Sequence, residues 1–250
     1  MRTRALRDLR HLFLSAALLV PLLVVAQPTP KADSAKADAA KKELPLVAAR
    51  TARFSTTKAT WMSLDVSPDG QTIVFDFLGD LYTLPIAGGT PTRFTSGLAF
   101  DAQPRFSPDG KRIAFISDRS GGDNVWITTL DGKDTTQVTK GNDALILSPE
   151  WTPDGKYIVA SRSGGPLGGA AKLWMWHVDG GSGIQLISQP ATIKTLGAAF
   201  SADGKQIWFA SRTGDWEYNA ILPQYQLNVY DRATGERHVV SARYGSAFRP

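Results

Sequence analysis

Hydrolysis needs a nucleophile, a base or a set of metal ligands held at a fixed spacing, and this chain offers few of these. Its histidines are His11, His177 and His238. The first lies just ahead of an N-terminal apolar run. The other two stand about sixty residues apart with no His-X-His or His-Glu-X-X-His around them, so no metal site is legible. No Gly-X-Ser-X-Gly elbow marks a serine nucleophile. Cysteine is absent, which excludes disulfides, thiolate metal sites and a lipoprotein anchor and leaves stability to packing. His177 shares a strand face with Leu173 and Met175, and His238 falls on a later strand, so both read as structural. No catalytic residue, metal ligand or cofactor is therefore expected within these 250 residues.

Other polar residues recur at matching places. Ser117-Asp118-Arg119, Ser161-Arg162 and Ser211-Arg212 each follow an apolar strand. Recurrence at the same point of a repeat favours a loop-fixing role over a reactive one. The candidates for binding are Arg162, Arg212, Asp215, Trp216, Glu217 and Tyr218, at or within long links between strands. Trp216 and Tyr218 read equally well as residues that pack such a link down.

The elements that must position these residues are set by one corner. Ser67-Pro68-Asp69-Gly70 returns as Ser107-Pro108-Asp109-Gly110, as Thr152-Pro153-Asp154-Gly155 and, without the proline, as Ser201-Ala202-Asp203-Gly204. The first positions are 40, 45 and 49 residues apart, the period of a four-stranded propeller blade. Three residues after each glycine stands Ile73, Ile113, Ile158 or Ile207. Phe75, Phe115, Ala160 and Phe209 share its face, and Val74, Ala114, Val159 and Trp208 occupy the other. A strand apolar on both faces is covered on both, as a blade is by its neighbours. The fold class expected is all-β: a β-propeller with four recognisable blades of four antiparallel strands, in an incomplete ring.

A second glycine turn closes each repeat, at Gly88-Gly89, Asp131-Gly132, Asp179-Gly180 and Ala233-Thr234-Gly235. In an up-and-down meander both tight turns fall on one rim. The links between second and third strands gather on the other and lengthen along the chain, from Asp76–Asp80 through Ser117–Asn124 and Ser161–Lys172 to Ser211–Gln226. Variable loops on a rigid scaffold are where binding concentrates.

The first fifty residues have a different texture. Arg2, Arg4, Arg7 and Arg10 precede an apolar run from Leu12 to Ala26 that contains Pro21. The run is shorter than the roughly 20 residues a spanning helix needs. Residues 1–26 read as a secretory signal peptide cleaved before Gln27, which predicts a periplasmic or secreted protein with no membrane attachment after cleavage. Residues 27–50, rich in alanine, lysine and proline, read as a disordered linker, and the propeller is expected over residues 51–250. Without residues 1–26 the chain carries 24 basic and 22 acidic residues, a net of +2. That balance, with no dense basic stripe, excludes a nucleic-acid binder.

Pro104-Arg105-Phe106-Ser107-Pro108-Asp109-Gly110-Lys111-Arg112-Ile113-Ala114-Phe115, with Ser117-Asp118-Arg119 and Val125-Trp126, resembles the repeat of TolB-like propellers. Trp61 to Gly70, with Gly79-Asp80-Leu81-Tyr82-Thr83-Leu84-Pro85, resembles the opening of exported bacterial proteins in which such a propeller precedes a metal-dependent amidohydrolase domain. The resemblance covers roughly residues 51–250. It implies the N-terminal part of an enzyme cleaving C–N bonds, with catalytic residues and a divalent metal expected only in a downstream domain. The partner would be that domain or an envelope protein. Two alternatives stand beside it: a non-catalytic, TolB-like propeller binding an envelope protein, and the substrate-gating propeller of a prolyl-oligopeptidase-like serine peptidase. Tyr244–Pro250 resembles the lead-in Ala102-Gln103-Pro104. A fifth corner is therefore expected beyond it, with an open edge and poor solubility for these residues alone.

Overall fold

Each corner is built by its own side chains. Ser67 Oγ donates to Asp69 Oδ1 at 2.6 Å and accepts the Thr72 amide at 2.9 Å, while Asp69 Oδ1 accepts the Gln71 amide at 3.0 Å. Ser107 and Asp109, Thr152 and Asp154, and Ser201 and Asp203 repeat the arrangement, with hydroxyl-to-carboxylate distances of 2.5, 2.6 and 2.7 Å. The closing glycines sit at φ 71°, 70°, 67° and 69°, left-handed values that a Cβ would penalise. Donation from the hydroxyl, then from the backbone amide, holds the Asp69, Asp109 and Asp203 carboxyls below their ordinary range. At Asp154 the Thr152 hydroxyl is the largest cause of the same lowering.

The computed structural model describes residue 50 and residues 52–164, 170–213 and 224–241. The chain divides into two units, Met1–Ser55 and Thr56–Pro250. Of the first, the described residues are exposed irregular chain; the expected signal peptide and nearly all of the expected linker lie outside the described residues.

The second unit holds four antiparallel sheets among the described residues, each in sequence order. The first blade is Leu64–Val66 (β1), Thr72–Phe77 (β2), Asp80–Pro85 (β3) and Thr92–Arg93 (β4). The second is Asp101–Phe106 (β5), Arg112–Ser117 (β6), Asn124–Thr129 (β7) and Thr135–Gln137 (β8). The third is Ile146–Trp151 (β9), Tyr157–Arg162 (β10), Lys172–His177 (β11) and Gly180–Gln185 (β12). The fourth is Lys194–Phe200 (β13), Gln206–Arg212 (β14), Gln226–Asp231 (β15) and Arg237–Val239 (β16). The all-β architecture of four four-stranded blades read from the repeat is thus the one observed. The β2–β3 link is the two residues 78–79, and the later links are 118–123, 163–171 and 213–225, so the loop rim lengthens along the chain as expected.

The blades seal one another face to face. Val74 of the first blade packs with Phe106 and Ile113 of the second. Ala114, Ile116, Val125 and Ile127 pack with Trp151, Ile158, Ala160 and Trp176 of the third. Val159 and Leu173 pack with Ile207 and Phe209 of the fourth. Ile113 and Ile158 are wholly buried and Ile207 is 1 % exposed, whereas Ile73 is only half-buried. The corners join in: a Cβ on Gly110, Gly155 or Gly204 would meet Pro68, Pro108 or Pro153 of the preceding corner at 3.5, 3.9 or 3.3 Å. Each corner proline therefore lies against the next corner's glycine.

Candidate functional site

The first strand of each blade lines the axis, and three of the four are bulged at one place. The β5–β6, β9–β10 and β13–β14 registers each slip near the middle of the first strand. There Gln103, Ser148 and Gly197 adopt φ 55°, 54° and 62°. Glycine tolerates that conformation freely, but Gln103 and Ser148 hold it under strain. What fixes them is the preceding blade. Asp76 Oδ2 accepts the Gln103 amide at 2.8 Å, Gln103 Oε1 the Ser148 amide at 2.6 Å, and Ser161 Oγ the Gly197 amide at 3.3 Å.

Between these bulges lies a cavity of about 100 Å³, lined in part by Ser63, Gln103, Arg105, Ser148, Glu150 and Gly197. Asp65, Arg105, Glu150 and Ala199 hold equivalent places, two residues before each corner. Arg105 Nε lies 3.5 Å from Glu150 Oε2, and Arg105 also donates to the Leu64 and Pro104 carbonyls. Asp65 Oδ2 accepts the Phe106 amide at 2.8 Å. Burial pushes the Glu150 carboxyl up to about 7; Arg105 opposes the shift and Asp65 adds to it. The cavity thus presents a cation, a carboxyl able to change charge near neutral pH, and small hydroxyls, which suits polar recognition and adjustable charge. These axial residues are not among the candidates that the sequence singles out. Aligning the four corners and reading two positions back would have found the charges at Asp65, Arg105 and Glu150.

On the loop rim, Arg162 ends β10 with its guanidinium over Trp174 at 5.2 Å, and Arg212 ends β14 over Tyr225 at 5.2 Å. Each arginine is paired with an aromatic residue of its own blade; Asp215, Trp216, Glu217 and Tyr218 lie outside the described residues. Arg119, at the matching point of the second blade, is held most firmly. It donates from one Nη to both oxygens of Asp101 at 2.7 and 2.8 Å and from Nε to Ser117, and it lies over Phe115 and Trp126. That is the loop-fixing role expected for the Ser-Asp-Arg segment. Asp118 adds to it by accepting the Phe100 amide at 2.7 Å. His177 is partly exposed, with Tyr157 edge-on to its ring and Asp179 3.4 Å away. Among the described residues no three His, Cys, Asp or Glu side chains gather as a metal site. Among them, too, no helix is long and apolar enough to cross a membrane.

Radial sheets, bulged axial strands and a loop-bearing rim define a β-propeller. Residues 61–220 match the tricorn protease N-terminal β-propeller domain family, and the chain belongs to it. The Tol-Pal system protein TolB of Bordetella pertussis is 43 % identical over 58 residues, 23 % of this chain and 13 % of that protein. The crystal structure of TolB from Acinetobacter baumannii superimposes with a TM-score of 0.57 at 22 % identity, covering 72 % of this chain and 43 % of that one. A Mycobacterium tuberculosis puromycin-hydrolyzing peptidase does so with a TM-score of 0.55 at 20 % identity, covering 74 % and 31 %. The chain spans 26 % or less of the length of the curated relatives it matches first.

Proposed function

We propose that this chain is the non-catalytic, TolB-like binding propeller of an exported protein, and that it engages a protein of the cell envelope through its loop rim. The observation that carries the reading is the asymmetry of the two rims. One is closed four times by the same hydrogen-bonded corner, while the links on the other grow from residues 78–79 to residues 213–225. A scaffold constant at one end and variable at the other presents the variable end to partners. Export rests on the arginine-led apolar segment of residues 1–26, and a mature N-terminus at Gln27 in the periplasm is the expected result of N-terminal sequencing. The partner side is tested with photo-crosslinking residues at Ser120 and Gly164 on the loop rim and at Lys111 and Lys156 on the corner rim. Capture of one envelope protein from the first pair alone supports the reading. Equal capture from both rims, or amide hydrolysis by the purified chain, overturns it.

A second reading is favoured by the likeness to the puromycin-hydrolyzing peptidase and by the family itself, which is described by a protease. In it the propeller gates substrate access to a peptidase domain. The finer expectation of an amidohydrolase domain with its own divalent metal rests on the resemblance at Trp61–Gly70 and Gly79–Pro85 alone. A Gly-X-Ser-X-Gly or a His-X-His in the coding sequence past Pro250 separates these two enzymatic readings.

A further inference from the structure

The loop rim of the first two blades carries large apolar side chains in water. Leu78 is 73 % exposed, Leu98 71 %, Phe100 62 % and Trp61 completely. Exposed apolar residues scattered singly are ordinary, but a contiguous group marks a contact surface. Leu78 and Gly79 form the turn between β2 and β3, and Phe100 leads straight into β5. The two segments touch: the Asp101 amide donates to the Gly79 carbonyl at 2.8 Å, and a Cβ on Gly79 would lie 3.1 Å from the Phe100 ring. Leu98 stands two residues before Phe100, and Trp61 lies three residues ahead of β1 on the same rim.

The backbone makes these exposures costly. Leu78 and Gly79 have φ of 55° and 84°, so both central positions of the two-residue turn are left-handed. Such turns take asparagine, aspartate or glycine at the first of these positions. A leucine there is strained against its own carbonyl, and with its side chain in water it recovers nothing by burial. Trp61, at φ 62°, is in the same situation. Strain of this kind, unrewarded inside the fold, points to a function outside it.

The border of the patch is acidic. Asp118 and Asp123 lie on the β6–β7 link, and neither forms an ion pair among the described residues. Burial, with the Asp118 charge behind it, raises the Asp123 carboxyl above its ordinary value. The guanidinium between them in sequence, Arg119, is taken up by the buried Asp101.

We propose that Leu78, Leu98 and Phe100 form a docking surface for a protein segment that presents apolar side chains flanked by lysine or arginine. The proposal rests on the reading of this chain as a binding propeller and specifies where it binds and what it selects. The charges that border such a contact set partner choice, and the apolar anchors set its lifetime.

The test titrates the full chain against a fluorescein-labelled dodecapeptide with one leucine and one phenylalanine flanked by lysines, and against the same peptide with glutamates. Anisotropy should show at least tenfold tighter binding of the lysine form. Leu98→Ser and Phe100→Ser should each weaken it at least fivefold, while Ile86→Ser, on the corner rim, leaves it unchanged. Leu78→Asn is the discriminating variant: it should weaken binding at least fivefold and raise the melting temperature, because asparagine suits the turn that leucine strains. A purely structural leucine would not separate the two readouts in that way. Equal binding of the two peptides, no binding of either, undiminished binding by Leu78→Asn, or a lowered melting temperature for that variant each overturns the proposal. In all four cases the wider reading still stands or falls on the envelope crosslinks at Ser120 and Gly164.

Discussion

Ile73 and Ile113 hold the same place in the repeat, yet the first is half-buried and the second is sealed. Their own blades do not account for the difference. The corner before each is built alike, with hydroxyl-to-carboxylate bonds of 2.6 and 2.5 Å and glycine φ values of 71° and 70°. What differs is the neighbour. The Ile113 face is covered by the first blade, through Val74; the Ile73 face, with Phe75 stacked on Tyr82, has no sheet against it among the described residues. Local hydrogen bonding is therefore the property of one blade, whereas burial is the property of a pair of blades.

That contrast can be broken most directly by truncation. Ile158→Ala, in a covered blade, should cost about 2–5 kcal/mol in urea unfolding. Ile73→Ala should cost about 1 kcal/mol, since much of its surface already meets water. Equal costs would mean that the first blade is covered in solution. Next in size is Asp76→Ala, which strips acceptors from the Ser63 amide within the first blade and the Gln103 amide in the second. Its expected cost is about 2 kcal/mol, and hydrogen exchange at Gln103 should quicken.

Glu150 gives a smaller effect that depends on pH. Its folded value of about 7 stands above the ordinary 4.5, so the carboxyl is harder to ionise in the fold than in the unfolded chain. Stability from this group is complete below pH 4.5 and is lost as pH rises through 7. Melting temperatures across that window should decline in the wild type and stay flatter in Glu150→Gln.

The smallest effect concerns the tight turns, whose carboxylates are depressed. Asp131 is held at about 2, first by the Thr129 hydroxyl. Its contribution is present above pH 3.8 and is lost as pH falls toward 2. Calorimetry should show Asp131→Asn flattening part of that acid decline. Asp69→Asn should shift the melting temperature less than Asp109→Asn, because the second corner also rests on Pro68 of the first while nothing lies against Gly70.

The same division decides what could be read from the sequence. Corners, strand order and the lengthening links were legible because each is written in a few consecutive residues: serine, aspartate and glycine fix a turn wherever they occur. The loop-fixing role of Arg119 was legible because its segment recurs. The axial group was not, since Arg105 and Glu150 are single charges on separate strands that acquire meaning only when the fold brings both to one cavity, with Asp65 near enough to raise the Glu150 carboxyl. Leu78 was equally opaque. Its leucine is ordinary in composition, and only the sign of φ sets it apart.

The bulges carry one further consequence. The left-handed amide of each bulge, at Gln103, Ser148 or Gly197, is received by an oxygen of the blade before it, from Asp76, Gln103 or Ser161. The donor is always the later-made partner. A polypeptide leaving the ribosome or a translocation pore amino end first thus adds each new sheet onto a template whose receiving oxygen is already in position, and assembly can run in the direction of synthesis.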